Sequence, residues 1–469
     1  MTTSFSFFSR ALRFSLSLAA CLAAARASDL AALWAERVSC TAAVEFYAET
    51  ETERRENTSF GTVIDERGTI ILPPQAINLR FAPDQLKGFK VFYPGDAVGC
   101  PGEYLGVDAL TGWHFVRAGE ALRGRFKPVT RFAKKAAQPP GLAEDIWGIG
   151  LRGKEEDFLP YLMTSRVAML NSLPQRTGIS QHEVAAPGLP VFDNAGDFIG
   201  VGLSSFGQSF IEFSRNERGG SPVMLVNLEE SSAFLLAEEV LPYFGRVPKN
   251  LFGRPLAWLG TYGLQPVDPE VARFIKLENQ SAAVVSEVLD GSPAEAAGLK
   301  ERDIIVAVNG KPLPRFKPDR VVTTFIDREV DRCLPGDPFS LTVLRDGKRI
   351  EAKAILADAP RLSREAPRRY FERVGLSARE FVYSDAVMRR VKASESTGVI
   401  AHFVKPSGPA GSAGLQTDDW IKEIDAVEVK TYAQAVERLA VIEGDLMRSE
   451  FVLLVSRGGE TSVLRVKLK

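Results

Sequence analysis

The sequence is poor in the residues from which metal centres and disulfide scaffolds are built, with 3 His and 4 Cys in 469 residues. So few cysteines exclude a disulfide-held mini-fold, and the scattered histidines exclude a His-rich metal site. An excess of either charge is also missing: 58 Lys+Arg stand against 59 Asp+Glu, a formal net charge of -1. General attraction to phosphate backbones is therefore absent, and nucleic acid is not an expected partner. Beyond the N-terminus no uncharged apolar run reaches the about 20 residues that a membrane helix needs. No P-loop or dinucleotide-binding glycine motif falls between a strand and a helix, so neither cofactor nor metal is expected. What is present is 45% hydrophobic residues with 39 Gly and 28 Pro. That composition packs cores and excludes a disordered, collagen-like or coiled-coil chain. At roughly 100 to 200 residues per domain, the length predicts about two to four domains.

Residues 1–27 carry Arg10 and Arg13, an apolar run from Phe14 to Ala25, and Ala25-Arg26-Ala27 ahead of Ser28. This is the pattern of an export signal, and it predicts a location in the periplasm or cell envelope. Leu18-Ala19-Ala20-Cys21 has two readings: a lipobox whose Cys21 would carry a lipid anchor, or small apolar residues within the signal. Export would place Cys40, Cys100 and Cys333 in an oxidising compartment. Cys40 with Cys100 is the natural pair, and three separate thiols are the alternative.

Comparison of the chain with itself exposes a repeat. GSPAEAAGLKERDIIVAVNG at Gly291 to Gly310 recurs as SGPAGSAGLQTDDWIKEIDA at Ser407 to Ala426, and LTVLRDG from Leu341 recurs as LLVSRGG from Leu453. Each copy predicts a strand, a Gly/Pro turn, a short Ala-rich helix, an apolar strand, a longer helix and a hairpin. In the second copy Asp425-Ala426 replaces the Asn309-Gly310 turn. Both copies resemble the circularly permuted PDZ domain of bacterial proteases, at residues 254–358 and 366–469.

The resemblance implies binding by backbone geometry: an extended peptide adds to a sheet edge, and its carboxylate is captured by N–H groups of a Gly-containing loop. Trp258, Leu259, Gly260 and Thr261 match that loop in the first copy. Gly375 and Leu376, within Val374-Gly375-Leu376-Ser377, match it in the second. The helix predicted from Asp319 to Val330 would form the other wall of the first groove. Occupation of the grooves by the chain itself is the competing structural reading. Gly260→Val is expected to abolish C-terminal peptide binding and to leave the fold largely intact.

Residues 28–247 are rich in short strands and Gly/Pro turns and end in a helix-like stretch from Glu229 to Tyr243. Three segments here, GTVIDERGTIILPPQAI from Gly61, EDIWGIG from Glu144 and PGLPVFDNAGDFIGV from Pro187, resemble those of the HtrA (Deg) family of envelope proteases and chaperones. The fold class this resemblance implies is mostly β, a chymotrypsin-like double β-barrel followed by two permuted PDZ (α+β) domains.

Acyl transfer by a Ser-His-Asp triad needs a hydroxyl nucleophile, an imidazole base and an orienting carboxylate. Alignment to the family puts its His at Gln75, its Asp at Gly112 and its Ser at Pro187. Proline also removes the N–H that a nucleophile position gives to the oxyanion hole. No Ser, Thr or Cys lies between Gln181 and Phe192. The expected protein is a pseudoprotease that binds peptide C-termini or unfolded chains as a chaperone, adaptor or regulator. The resemblance implies a homotrimer. The rival is a serine-type endopeptidase with a reassigned site at His114 or His182; the plainer reading of both imidazoles is a packed or surface residue.

Overall fold

The computed structural model describes residues 30–133, 139–173, 175–205, 210–212, 223–225, 231–393 and 396–468. The signal-like segment and Cys21 lie outside them. The chain separates into two compact units, with the main division after Arg254.

The first unit holds two closed six-stranded antiparallel barrels, the double barrel expected from sequence. Strands β1 (Thr41–Glu49), β2 (Arg54–Val63), β3 (Thr69–Leu72), β4 (Leu86–Phe92), β5 (Cys100–Val107) and β6 (His114–Ala118) close in the order β1-β2-β3-β6-β5-β4. The second barrel uses β7 (Asp145–Leu151), β8 (Pro160–Asn171), β9 (Thr177–Ser180), β10 (Pro190–Asp193) and β11 (Phe198–Ser205). A separate ribbon, β12 (Phe210–Glu212) with β13 (Val223–Leu225), follows, and β14 (Ser232–Leu236) completes the closure between β11 and β9. Closure leaves no unpaired edge, so each short strand satisfies its backbone within the barrel.

The helical expectation for Glu229 to Tyr243 is corrected here. Ser232–Leu236 is strand, and only Ala237–Val240 forms an α-helical turn before a 3-10 turn at Leu241–Gly245. The apolar run Ala233-Phe234-Leu235-Leu236 is buried on both faces of the strand, which pairs on both edges. Tertiary pairing overrides the local preference for helix. Aromatic rings fill the barrels: Phe46, Phe89 and Tyr104 stack at centroid spacings of 5.1 and 5.2 Å, and Trp147 stacks on Phe192 at 4.7 Å. Cys40 and Cys100 are both free thiols, as is Cys333, so the suggested pair is not formed.

The second unit contains two modules with one architecture. In each, a short helix (Pro293–Ala296, Pro409–Ser412) precedes an apolar strand (Ile304–Val308, Trp420–Ile424), a longer helix (Val321–Asp331, Tyr432–Gly444) and a hairpin. Their buried carboxylates repeat as well. Asp303 takes Arg345 at 2.7 Å from both Nε and Nη2, and Asp419 takes Arg457 at 2.6 Å in the same way. Both arginines donate a further bond to the glycine carbonyl ending the short helix, Gly298 or Gly414. A two-pronged, charge-assisted pair with a buried acid locks the strand to the helix in each copy.

The departure at Asp425-Ala426 leaves the turn geometry unchanged. Asn309 and Gly310 sit at φ 47° and 74°, and Asp425 and Ala426 at 52° and 58°. Asp425 Oδ1 accepts the Val452 N–H as Asn309 Oδ1 accepts that of Ser340. Ala426 therefore holds a left-handed conformation that costs an L-residue about 1–2 kcal/mol. Ala426→Gly, at an exposed position, is expected to stabilise the module by about 0.5–1 kcal/mol after the entropy of glycine is deducted. Denaturant unfolding checks this; an unchanged or lowered midpoint contradicts it.

Candidate functional site

The barrel cleft is assembled by three turns. After β3 the chain makes a 3-10 turn at Pro74–Ala76 with Gln75 exposed. The turn before β6 is built on Asp108, whose carboxylate accepts the Thr111 N–H and hydroxyl, while Gly112 N–H returns to the Asp108 carbonyl. The third turn, Ala186 to Leu189, precedes β10. These turns converge: a Cβ on Gly112 would stand 3.4 Å from Pro74 Cβ, and one on Gly188 would meet Pro73 Cδ at 2.8 Å. Gln75 Nε2 donates across the cleft to the Leu203 carbonyl at 3.3 Å. Between these turns lies a narrow, largely apolar pocket lined by Leu72, Pro73, Pro74, Trp113, Gly188 and Leu203.

The chemistry there is limited. Gln75 offers an amide, Gly112 no side chain, and Pro187 neither hydroxyl nor N–H. The two amides that follow are bonded inward, Gly188 N–H to the Gly202 carbonyl and Leu189 N–H to that of Ala186. Asp108 is the carboxylate nearest in sequence, and it is held by Arg246 at 3.0 Å as well as by Thr111. His114 is completely buried within the first barrel, with Nδ1 2.8 Å from the Tyr104 hydroxyl. His182 is exposed, and its backbone N–H, rather than its ring, reaches Ser165 Oγ. Cys40 is fully buried, and burial pushes its thiol well above the usual range. It is therefore neutral and inaccessible, unlike an activated thiolate.

The first module presents a different backbone. Gly260 has φ +88°, and a Cβ there would lie 2.1 Å from Ser292 Cβ. The Leu259 and Gly260 carbonyls accept the N–H groups of Ala294 and Leu289, each at 2.9 Å. Across a trans peptide the N–H points opposite the preceding C=O. The N–H groups of Gly260 and Thr261 are consequently directed away from the 289–294 turn. Thr261–Tyr262 pairs with Glu287–Val288, and Gln265–Pro266 with Ala283–Val284. Among the described residues no strand takes the other edge. The helix Val321–Asp331, close to the span expected, packs near this edge against Ala257–Trp258 and Gln265–Pro266. Leu259 is buried with Val322 and Ile326, whereas Trp258 and Thr261 are half-buried.

In the second module the corresponding edge is taken. The strand Arg368–Phe371 pairs antiparallel with Leu376–Glu380, Phe371 opposite Leu376. The helix Tyr432–Gly444 packs against both strands. Gly375 N–H donates to the Phe371 carbonyl at 2.8 Å, and Leu376 is completely buried. The guanidinium of Arg373 secures the hairpin by donating to the Ile442 carbonyl in the last turn of that helix and to those of Asp445 and Arg448 just beyond it. Gly375 and Leu376 were expected to face a ligand; here their edge pairs with the chain itself. The sequence signal was the run Arg368-Arg369-Tyr370-Phe371, a short β-prone stretch four residues before the loop.

Comparison with known proteins finds similarity to a PDZ family profile and to periplasmic serine endoproteases. A family profile described as PDZ domain matches residues 284–327. A probable periplasmic serine endoprotease, DegP-like, of Chlamydia pneumoniae is 29% identical over 204 residues, 44% of this chain and 39% of that protein. The periplasmic pH-dependent serine endoprotease DegQ of Escherichia coli is 29% identical over 251 residues, 53% of this chain and 48% of its own length. The chain thus spans under half the length of these relatives. An HtrA-type protease AlgW with decapeptide superposes with TM-score 0.49 and 14% identity over 70% of this chain and 98% of that one.

The Ser292 contact corrects the expectation for Gly260→Val. The added side chain would collide with the turn that supports the loop, at a φ that a β-branched residue resists. This variant should lose on the order of 2 kcal/mol of module stability. Thermal unfolding checks it, and an unshifted melting temperature would contradict the packing described.

Proposed function

We propose that this chain is an exported, non-catalytic HtrA-like protein that holds free peptide C-termini, or the ends of unfolded chains, at the edge of its first PDZ module. The observation carrying this reading is the direction of backbone N–H groups. Those of Gly260 and Thr261 point away from their supporting turn, towards an unpaired edge, whereas Pro187 has none and its two successors are bonded inward. A terminal carboxylate would accept the outward pair, the extended peptide would add to Thr261–Pro266, and the helix Val321–Asp331 would line its side chains. Hydrogen bonds to a charged acceptor are strong enough to distinguish a free terminus from an amide.

In the barrel, the proposed losses remove the attacking atom, the base, the orienting acid and one oxyanion donor together. The double barrel would then serve as a scaffold, and assembly as a homotrimer is the arrangement suggested by family resemblance. Its relatives are named periplasmic proteins, which agrees with the export-like sequence of residues 1–27. The second module is read as a PDZ-like repeat with a groove occupied by its own chain.

The test has two arms. Incubation with an unfolded casein substrate and a serine-reactive fluorophosphonate should give neither cleavage nor labelling; stoichiometric labelling of one side chain would establish the rival endopeptidase. Peptides with free C-termini should bind about tenfold or more tighter than their amidated forms. Equal affinity of the two forms would refute carboxylate capture.

A further inference from the structure

A residue from outside the first module reaches its carboxylate loop. Tyr383 is the first residue of the helix Tyr383–Arg389 in the second module. Its ring meets Trp258 edge-on, with centroids 5.5 Å apart and planes at 80°, and its hydroxyl donates to the Asp290 carbonyl at 2.7 Å. Trp258 begins the loop, and Asp290 belongs to the turn whose Leu289 and Ala294 amides hold the Gly260 and Leu259 carbonyls. One side chain therefore grips both halves of the arrangement that aims the Gly260 and Thr261 amides.

Tyr383 is itself firmly placed. Asp385, two residues on, is 1% exposed and forms a two-pronged pair with Arg379 at 2.7 and 2.9 Å, and it accepts the Val382 N–H at 2.8 Å. A buried ion pair is a weak source of stability, but a two-pronged one constrains geometry. Here it fixes the first turn of the helix that carries Tyr383.

We propose that Tyr383 is a positioning residue for peptide capture by the first module, so that the second module, its own edge taken, braces its neighbour's loop. The proposal rests on the reading of the first groove given above. An amide nest binds a carboxylate well only when its N–H groups are held in place beforehand, because ordering them on binding would subtract from affinity. The edge-on ring contact and the hydroxyl bond supply that order without touching the ligand.

Hydrogen exchange and peptide titration on the full chain test this together. Tyr383→Ala should speed exchange, in the absence of any peptide, at the Leu289 and Ala294 amides, whose bonds to the Gly260 and Leu259 carbonyls hold the loop. It should also weaken a free-carboxylate peptide about tenfold, the loss of one aromatic contact and one hydrogen bond. Affinity for the amidated peptide should stay the same, a split that general loosening of the fold would not produce. Tyr383→Phe, which keeps the ring and loses the hydroxyl, should fall between the two. The brace is overturned if exchange at the Leu289 and Ala294 amides is unchanged in Tyr383→Ala, or if both variants bind the free-carboxylate peptide as the parent does. A parent that binds both peptide forms equally would instead refute carboxylate capture, while the exchange data would still decide whether Tyr383 orders the loop.

Discussion

A backbone N–H already bonded within the fold has nothing left for a ligand, and nearly every buried amide is so bonded. Three glycine-containing turns in this chain meet that constraint in different ways. At Ala186–Leu189 the amides that follow Pro187 turn inward to Gly202 and Ala186. At Gly375 the amide closes a hairpin onto Phe371, and at Gly260 the carbonyls are the groups that turn inward, leaving the amides to face out. The same element, a short turn beside a sheet edge, thus occurs with its amides bonded inward, with its edge paired to its own chain, or with its amides facing out. Backbone direction separates them where residue type does not.

The double barrel needs no catalytic residue to be stable. Its core is a continuous set of buried aliphatic and aromatic side chains running through both barrels, and the cleft lies at the periphery of that core. Gln75, Gly112 and Pro187 are outside that buried set. Pro73 and Pro74 together with the Gln75–Leu203 bond fasten the turns across the cleft. On the proposed reading, selection has kept the shape and released the chemistry.

Much of this was legible in the sequence because it depends on short-range patterns. The repeat of Pro293, Ala294, Gly298, Leu299 and Asp303 at Pro409, Ala410, Gly414, Leu415 and Asp419 predicted the paired modules, and the structure adds that each aspartate grips an arginine on the next hairpin. Alignment of three separate segments suggested a meeting of Gln75, Gly112 and Pro187, and in the structure Gly112 lies near Pro74 and Gly188 near Pro73. What escaped depends on long-range pairing. Ser232–Leu236 reads as helix until β9 and β11 are seen on its two sides. The role of Arg368–Phe371 shows only when it lies against Leu376–Glu380. The tightness of Gly260 against Ser292 has no local signature, since the two are 32 positions apart. Tyr383 likewise reads as an ordinary helix-start residue, because its partners, Trp258 and Asp290, sit in another module.

The most direct test of backbone direction is to follow individual amides by nitrogen-15 NMR while titrating a free-carboxylate peptide. Strong downfield shifts at the Gly260 and Thr261 N–H, with Gly188, Leu189, Gly375 and Leu376 unmoved, are what the account predicts. Shifts centred on Gly375 and Leu376 or on the 187–189 turn, with Gly260 silent, would contradict it.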